Sequence, residues 1–347
     1  MDDHGIEVKN LYKIFGPHGE RYLDAVKNGM SKDELNAKHG HVLGLKDISI
    51  NMPSAKIQVI MGLSGSGKST MIRHINRLIE PTAGEVLYQG EDVCKMSKAD
   101  LQEFRRHKTA MVFQKFALLP HRTVIDNTLF GIELQGVSRG ESEERAKHWL
   151  KRVGLDGFED YYPNQLSGGM QQRVGLARAL TNDADILLMD EAFSALDPLI
   201  RMDMQTILLE LQEELHKTIV FITHDLDEAL RLGDRIAILR DGIMVQQDDP
   251  QQILLNPADD YVSDFIKDIN RVRVLEIGSI MNKSKSVKGP KIERNVVIED
   301  ALQILMNSKT TSAIVTQNDK AIGSITLDKL IASIARKQGS ANEQAYK

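Results

Sequence analysis

Gly62-Leu63-Ser64-Gly65-Ser66-Gly67-Lys68-Ser69 fits the phosphate-binding pattern G-x-x-x-x-G-K-[ST] without a mismatch. The residues on either side supply what such a loop needs. Ile57 to Met61 is a short apolar run of the kind that forms a buried parallel strand, and Lys68 to Ile79 reads as a helix entered through the glycines. Glycines let the backbone wrap closely around an anion, and the free N–H groups of the first helical turn point at it. Lys68 adds a full positive charge near the β- and γ-phosphates, and Ser69 offers a hydroxyl to magnesium. The expected nucleotide-binding residues here are Gly62, Ser64, Gly65, Ser66, Gly67, Lys68, Ser69 and Thr70. Kinases, GTPases, helicases and transport ATPases all use such a loop, so the loop alone leaves the class open.

Composition narrows the field. With 347 residues and 41% hydrophobic content, the chain has room for one large domain and a smaller one. Its 44 basic and 49 acidic residues give a net charge of −5, which argues against a partner held by bulk electrostatics such as nucleic acid. The single cysteine, Cys94, cannot form an internal disulfide, and Asp2 and Asp3 give the start of the chain the wrong sign for a targeting segment. A cytosolic location is expected. No window approaches 18 uncharged apolar residues, so any membrane role is expected to be peripheral.

Further strands are expected at Ile6 to Phe15, Leu45 to Asn51, Glu85 to Tyr88, Ile186 to Met189 and Thr218 to Thr223. Ser31-Lys32-Asp33-Glu34 has the form of a helix capping box inside a polar insert. Arg235 to Arg240 and Ile243 to Gln247 flank Asp241-Gly242, the dipeptide of a type I′ hairpin turn. From about Lys98 to Asp160 the pattern is helical, and the helical subdomain is expected over about 98–180. Residues 271–347 hold 13 Lys and Arg against 7 Asp and Glu, so the tail carries +6 and the remainder −11. That shift predicts a nucleotide-binding domain over 1–270, a linker over 271–295 centred on the Lys- and Ser-rich 282–290, and a small unit over 296–340. Within the small unit the order reads strand Val296 to Ile298, helix Ala301 to Met306, strands Ser312 to Thr316 and Ala321 to Thr326 around Asn318-Asp319, and helix Leu327 to Lys337.

The apolar run Ile186-Leu187-Leu188-Met189 leads directly into Asp190-Glu191, which places two carboxylates where a buried strand emerges. One can hold magnesium, and the other can activate water. Leu166-Ser167-Gly168-Gly169-Met170-Gln171-Gln172 then repeats the device of glycines at a helix start. Two phosphate-seeking helix ends in one chain serve either two nucleotides or one nucleotide shared between two chains.

At this point the sequence resembles the ATP-binding subunits of ABC transporters, whose signature Leu-Ser-Gly-Gly-x-Gln completes the site only in a head-to-tail dimer. The resemblance implies an α/β fold with a mixed sheet core, an antiparallel β subdomain and a helical subdomain. It also implies roles for single residues. Phe113-Gln114 is similar to the Q-loop, so Gln114 would reach Mg²⁺ and the attacking water. Ser194-Ala195-Leu196-Asp197 resembles the D-loop, and His224, 33 residues after Glu191, resembles the switch histidine. Glu191 would be the general base. Ser69, Gln114 and Asp190 would hold the metal, and Ser167, Gly168, Gly169 and Asp197 would face the partner's nucleotide. An aromatic near the first strand is expected under the adenine, with Phe15 preferred and Tyr12 in reserve.

Within that superfamily, Val8 to Gly16, the insert up to His41, Met61 to Thr82 and Asp190 to Arg201 look like the ATPases of glycine betaine/proline importers, a likeness covering roughly 6–270. Choline and trimethylamine N-oxide are neighbouring cargoes in that class. Permease subunits and, indirectly, an extracytoplasmic binding protein are the implied partners, at the cytoplasmic side of the plasma membrane. A soluble ABC-type ATPase working on DNA or ribosomes is the rival reading. Ser167 follows Ser69 by only 98 positions, without sustained heptads, and the chain has one cassette, which favours transport. A purely regulatory nucleotide switch would have no need of the base Glu191. The tail resembles a single cystathionine-β-synthase (CBS) motif where these importers often carry two. Its Thr326-Leu327-Asp328 is one residue shorter than the family's Thr-x-x-Asp. A lone unit of this kind leaves one face uncovered, so pairing with the partner's copy is expected. Its +6 charge is a candidate contact for anionic lipid.

Overall fold

The computed structural model describes residues 5–284 and 287–334. The chain divides into two compact units, Met1–Pro250 and Gln251–Lys347.

The first unit is built on a sheet whose central strands are buried on both faces. These are β3 (Ile57–Met61), β7 (Ile186–Asp190) and β8 (Thr218–Thr223), joined by β6 (Thr109–Val112), β9 (Arg235–Arg240) and β10 (Ile243–Asp248) in the order β10-β9-β3-β8-β7-β6. All neighbours pair in parallel except β9 and β10. These two form a hairpin closed by Asp241 (φ 51°) and Gly242 (φ 80°), both left-handed as a type I′ turn requires. Register decides where the chemistry lies. Met61 is level with Thr223, Asp190 with Ile222, and Val112 with Met189, so four strands end at one edge. Loops at the carboxyl ends of such strands form the binding crevice of open α/β sheets.

A second, antiparallel sheet has the order β2-β1-β4-β5 and is made of β1 (Ile6–Phe15), β2 (Val42–Met52), β4 (Ala83–Tyr88) and β5 (Glu91–Asp92). It is tied to the phosphate loop through the hairpin. The Lys46 amide donates to the Gly242 carbonyl at 2.8 Å, and the Gly242 amide donates to the Ser66 carbonyl at 3.0 Å. The insert between β1 and β2 carries a helix, Lys32–His39, with both bonds of its capping box formed at 3.1 Å. Helices Val124–Glu133, Arg139–Arg152 and Gly168–Thr181 pack on one another to form the helical subdomain.

Two expectations for this unit change. The block Lys98 to Asp160 is not helical throughout, because Thr109–Val112 is the edge strand β6, paired with β7. A run of four residues between helices has no period of its own, and only the pairing identifies it. The phosphate-loop helix ends at Ile75 rather than Ile79. Arg77 turns left-handed (φ 51°) and its side chain binds Glu80 and the Met96 carbonyl, which redirects the chain.

The second unit begins at Gln251, earlier than the boundary placed at 270. Its sheet has the order β11-β12-β13, from β11 (Lys291–Glu293), β12 (Ser312–Gln317) and β13 (Lys320–Thr326), with helices Ile298–Asn307 and Leu327–Ile334. The stretch 271–295, expected as a linker, holds the turn Arg271–Arg273, the helix Ile277–Ile280 and β11. Val296 to Ile298 is not a strand, because Val297 caps the helix that starts at Ile298. Lys285, Ser286 and everything after Ile334, including the expected helical residues up to Lys337 and the unit's end at 340, lie outside the described residues. Met306 and Ile331, one on each helix, are 76% and 54% exposed.

Candidate active site

The four strand ends bring together the residues expected to act on a triphosphate. Lys68, only 4% exposed, donates from Nζ to the carbonyls of Gly62 (2.8 Å) and Leu63 (3.1 Å), closing the loop on itself. Burial lowers its pKa, against the opposing pull of Glu191 and then Asp190. An arriving anion would favour its charged form. The loop tolerates no side chain at Gly67, whose φ is 102°. A Cβ there would lie 2.8 Å from the Gly44 carbonyl oxygen. Ser64 and Gly65 are exposed at the rim, Thr70 is half-buried, and the buried Ser66 hydroxyl has no protein partner.

At the end of β7 the two carboxylates have separate surroundings. Asp190 is buried. Its Oδ1 accepts from Ser69 Oγ at 2.8 Å and its Oδ2 from Arg73 Nη2 at 3.2 Å. Glu191 is half-buried and left-handed (φ 47°), an uncommon conformation for a side chain of its size. Its backbone is pinned there, since its amide donates to the Ile222 carbonyl at 3.1 Å and Ser194 Oγ donates to its carbonyl at 2.9 Å. The carboxylate faces three groups from three other elements. Lys68 Nζ is 3.8 Å from Oε1, Gln114 Nε2 donates to Oε2 at 3.2 Å, and His224 Nδ1 stands 3.6 Å from Oε2.

Ser69, Asp190 and Gln114 fit a small hard cation. They offer a hydroxyl, a carboxylate and an amide, and the first two already touch. Among the described residues there is no group of three or more His, Cys, Asp or Glu that would form a metal cage. Magnesium bound mainly through a substrate's phosphates needs no such cage.

Phe15, 37% exposed, ends β1 with its ring against Gly44, where a Cβ would come within 2.6 Å of Cε2. Since Gly44 also abuts Gly67, the ring stands beside the phosphate loop. Lys13 Nζ lies 5.1 Å from the ring centroid. Tyr12, the reserve residue, is buried with Ile14, Val26, Leu35 and Leu43.

The second anion-seeking end is not part of this cluster. Ser167 caps helix Gly168–Thr181 by accepting from the Met170 amide at 3.3 Å, and Ser167 and Gly168 are exposed. Gly169 is buried against Ile200. Among the described residues, none of the three hydrogen-bonds to the phosphate loop, Gln114 or Glu191. Asp197 is exposed at the start of helix Pro198–Leu215, with no side-chain cap bond. Sequence reasoning missed Arg73, although it lies four residues after Ser69 and so on the same helical face. It also missed Gly44, for which a lone glycine in a strand was the signal.

The ABC transporter family matches the chain over residues 45–194. Over 96% of its length the chain is 50% identical to the glycine betaine transport ATP-binding protein OpuAA of Bacillus subtilis, covering 77% of that protein. It is also 50% identical to the glycine betaine/proline betaine transport system ATP-binding protein ProV of Salmonella typhimurium, with 96% of this chain and 84% of that one aligned. The trimethylamine N-oxide transport system ATP-binding protein TmoW of Pelagibacter ubique is 43% identical over 96% of this chain and 98% of its own. Among solved structures, the dimeric bacterial ABC transporter cassette MJ0796 superposes with a TM-score of 0.61 at 34% identity, over 71% of this chain and 98% of that one. The same cassette in a dimeric post-hydrolysis state with ADP and Pi also gives 0.61, at 33% identity over the same shares.

Proposed function

This chain belongs to the ATP-binding subunits of ABC transporters, in the class of the glycine betaine and proline betaine proteins, and from that membership we propose how its site works. The chain is the ATP-hydrolysing subunit of an importer for quaternary amines or related osmolytes. Glycine betaine and proline betaine are the leading cargoes, and trimethylamine N-oxide is a neighbour. It works at the cytoplasmic face of the plasma membrane, bound to permease subunits; among the described residues no helix is long and apolar enough to cross a membrane.

The single observation that carries the hydrolytic reading is the placement of the Glu191 carboxylate, held from three sides by Lys68, Gln114 and His224 at 3.2–3.8 Å. Phe15 stacks on the adenine, and Lys68 with the amides of the loop binds the phosphates. Ser69, Asp190 and Gln114 would hold Mg²⁺, which would supply positive charge against the charge that develops on the phosphates. Gln114 and His224 orient a water, and Glu191 takes its proton as the oxygen attacks the γ-phosphorus. The bond to the β-phosphate oxygen breaks, releasing ADP and phosphate. Ser167, Gly168, Gly169 and Asp197 serve the nucleotide of a second copy, a reading supported by the exposure of Ser167, Gly168 and Asp197 at two helix starts. Closure of that head-to-tail dimer pulls on the permease, and hydrolysis reopens it. The exposed Met306 and Ile331 pair with the partner's tail.

The test is Glu191→Gln. It keeps the size and the amide contact but cannot take a proton. ATP binding is expected to stay within about threefold of wild type while hydrolysis falls at least about 100-fold, the usual scale for a lost general base. Undiminished turnover would remove Glu191 from the mechanism.

A further inference from the structure

The insert between β1 and β2 contains a histidine whose surroundings favour one protonation state. His41 is 7% exposed, with Nδ1 2.7 Å from the His39 carbonyl oxygen and Nε2 2.8 Å from the Pro17 carbonyl oxygen. A neutral imidazole has one N–H, so one of these contacts would set a lone pair against a carbonyl lone pair. Only the imidazolium donates to both. Its ring packs against Gly16, where a Cβ would sit 2.4 Å from Cδ2, and its centroid is 4.5 Å from that of Tyr22. Tyr22 in turn packs on His39 at 4.5 Å. The other titratable groups here are His18, next to Pro17, and Glu20, which pair at 3.4 Å. No carboxylate touches the ring among the described contacts, so the carbonyls carry the bias. The two carbonyl bonds, Pro17 first, raise the pKa of His41 against the opposing effect of burial.

The position matters because of what adjoins it. Gly16 follows Phe15, and Val42, the residue after His41, is the strand partner of Phe15. His41 thus ties both strands together at the site of the exposed ring. We propose that His41, as an imidazolium, is a positioning residue for Phe15, so that ATP affinity falls as pH rises and the clamp on the Gly16-Pro17 turn loses one of its two bonds. The sign follows from the raised pKa: the clamp is complete at low pH and is lost above the pKa of the folded state. The proposal rests on the reading of Phe15 as the adenine platform.

Binding of MgATP and of magnesium tripolyphosphate, which has no base, is measured on the full-length protein between pH 6 and 8.5 for wild type, His41→Gln and Phe15→Ala. The expected ratio of wild-type to His41→Gln affinity for ATP is about tenfold at pH 6, the scale of one charged hydrogen bond, and close to one at pH 8.5. Tripolyphosphate should show no such ratio. Taking ratios cancels the protonation of the nucleotide itself. A pH-independent ATP ratio, with Phe15→Ala still weakening ATP, would overturn the role of His41 alone. Unchanged ATP affinity in Phe15→Ala would overturn the reading of Phe15 as well. Should His41→Gln fail to fold, nitrogen-15 NMR of the wild-type His41 ring decides. Two protonated nitrogens up to a pKa above 6.5 support the proposal, and a lower pKa overturns it.

Discussion

Acid should weaken the nucleotide-binding unit through one buried histidine of the phosphate-loop helix. His74 is fully buried, and its Nδ1 lies 2.6 Å from the Thr70 carbonyl oxygen, which makes Nδ1 the protonated nitrogen. Nε2 is buried with no partner, so a proton added there would be a charge without a bond. Burial therefore lowers the pKa from 6.5 to about 4, against the opposing effect of the Thr70 bond. Between those values the unfolded chain binds the proton and the folded one does not, so stability is intact above the unfolded value and is lost as pH falls toward the folded one. The penalty is about 2 kcal/mol at pH 5 and approaches about 3 kcal/mol below both values, at about 1.4 kcal/mol per tenfold difference in proton affinity. The assay is urea unfolding followed by fluorescence of Trp149, the one tryptophan, which lies in the same unit as His74. Wild type and His74→Leu are compared at pH 7.5 and pH 5. Carboxylates that titrate in both proteins cancel, so the variant should lose about 2 kcal/mol less than wild type over that range. Parallel losses in the two proteins would refute the assignment.

Other substitutions test the site piece by piece. Arg73→Met frees one oxygen of Asp190 and removes a cation beside the proposed metal site, so it should lower the Mg²⁺ concentration needed for half-maximal ATPase several-fold while changing metal-free ATP binding little; a magnesium titration at saturating ATP checks this. Gly44→Ala pushes a methyl into the Phe15 ring and should weaken ATP about tenfold, the scale of one lost base–aromatic stack, while tripolyphosphate binding holds. Gly67→Ala combines a φ of 102° with a backbone clash and should abolish binding of both ligands, read by calorimetry. The double variant Met306→Glu with Ile331→Glu should lower dimer mass in light scattering without changing ATP affinity, and an unaltered mass would remove the tail pairing.

The parts of this fold that can be read from the sequence are those set by neighbours in the chain. The phosphate loop, the Ser31 capping box and the Asp241-Gly242 turn each rest on a few consecutive residues whose backbone needs are specific. Strands β3, β7 and β8 are legible because burial on both faces leaves an unbroken apolar run. What escapes is decided by distant pairing. β6 is four residues whose identity as a strand comes only from β7. The burial of Leu11 is similar. A register shift between Val8 and Leu11, with Asn10 left-handed at φ 44°, breaks the alternation of β1, so that Asn10 is exposed and Leu11 buried where a count from Ile6 has them the other way round. Beyond the irregularity the count holds again, with Tyr12 inward and Phe15 exposed.

The same logic bears on the proposed dimer. The residues that converge at Glu191 come from strand ends of one sheet, so a single chain can assemble them by parallel register alone. Ser167 sits instead on the helical subdomain, where its cap is satisfied locally by Met170 and its helix start faces solvent. A helix start that is capped and exposed, and that among the described residues makes no hydrogen bond to its own chain's phosphate site, has amides that can take an anion brought to it. Under the proposed function, that anion is the triphosphate on another copy. Substituting Ser167 by Arg should therefore block ATP-dependent dimerisation while each monomer still binds ATP through Lys68 and Phe15. A variant that hydrolyses ATP normally as a monomer would show that one chain contains the whole pocket.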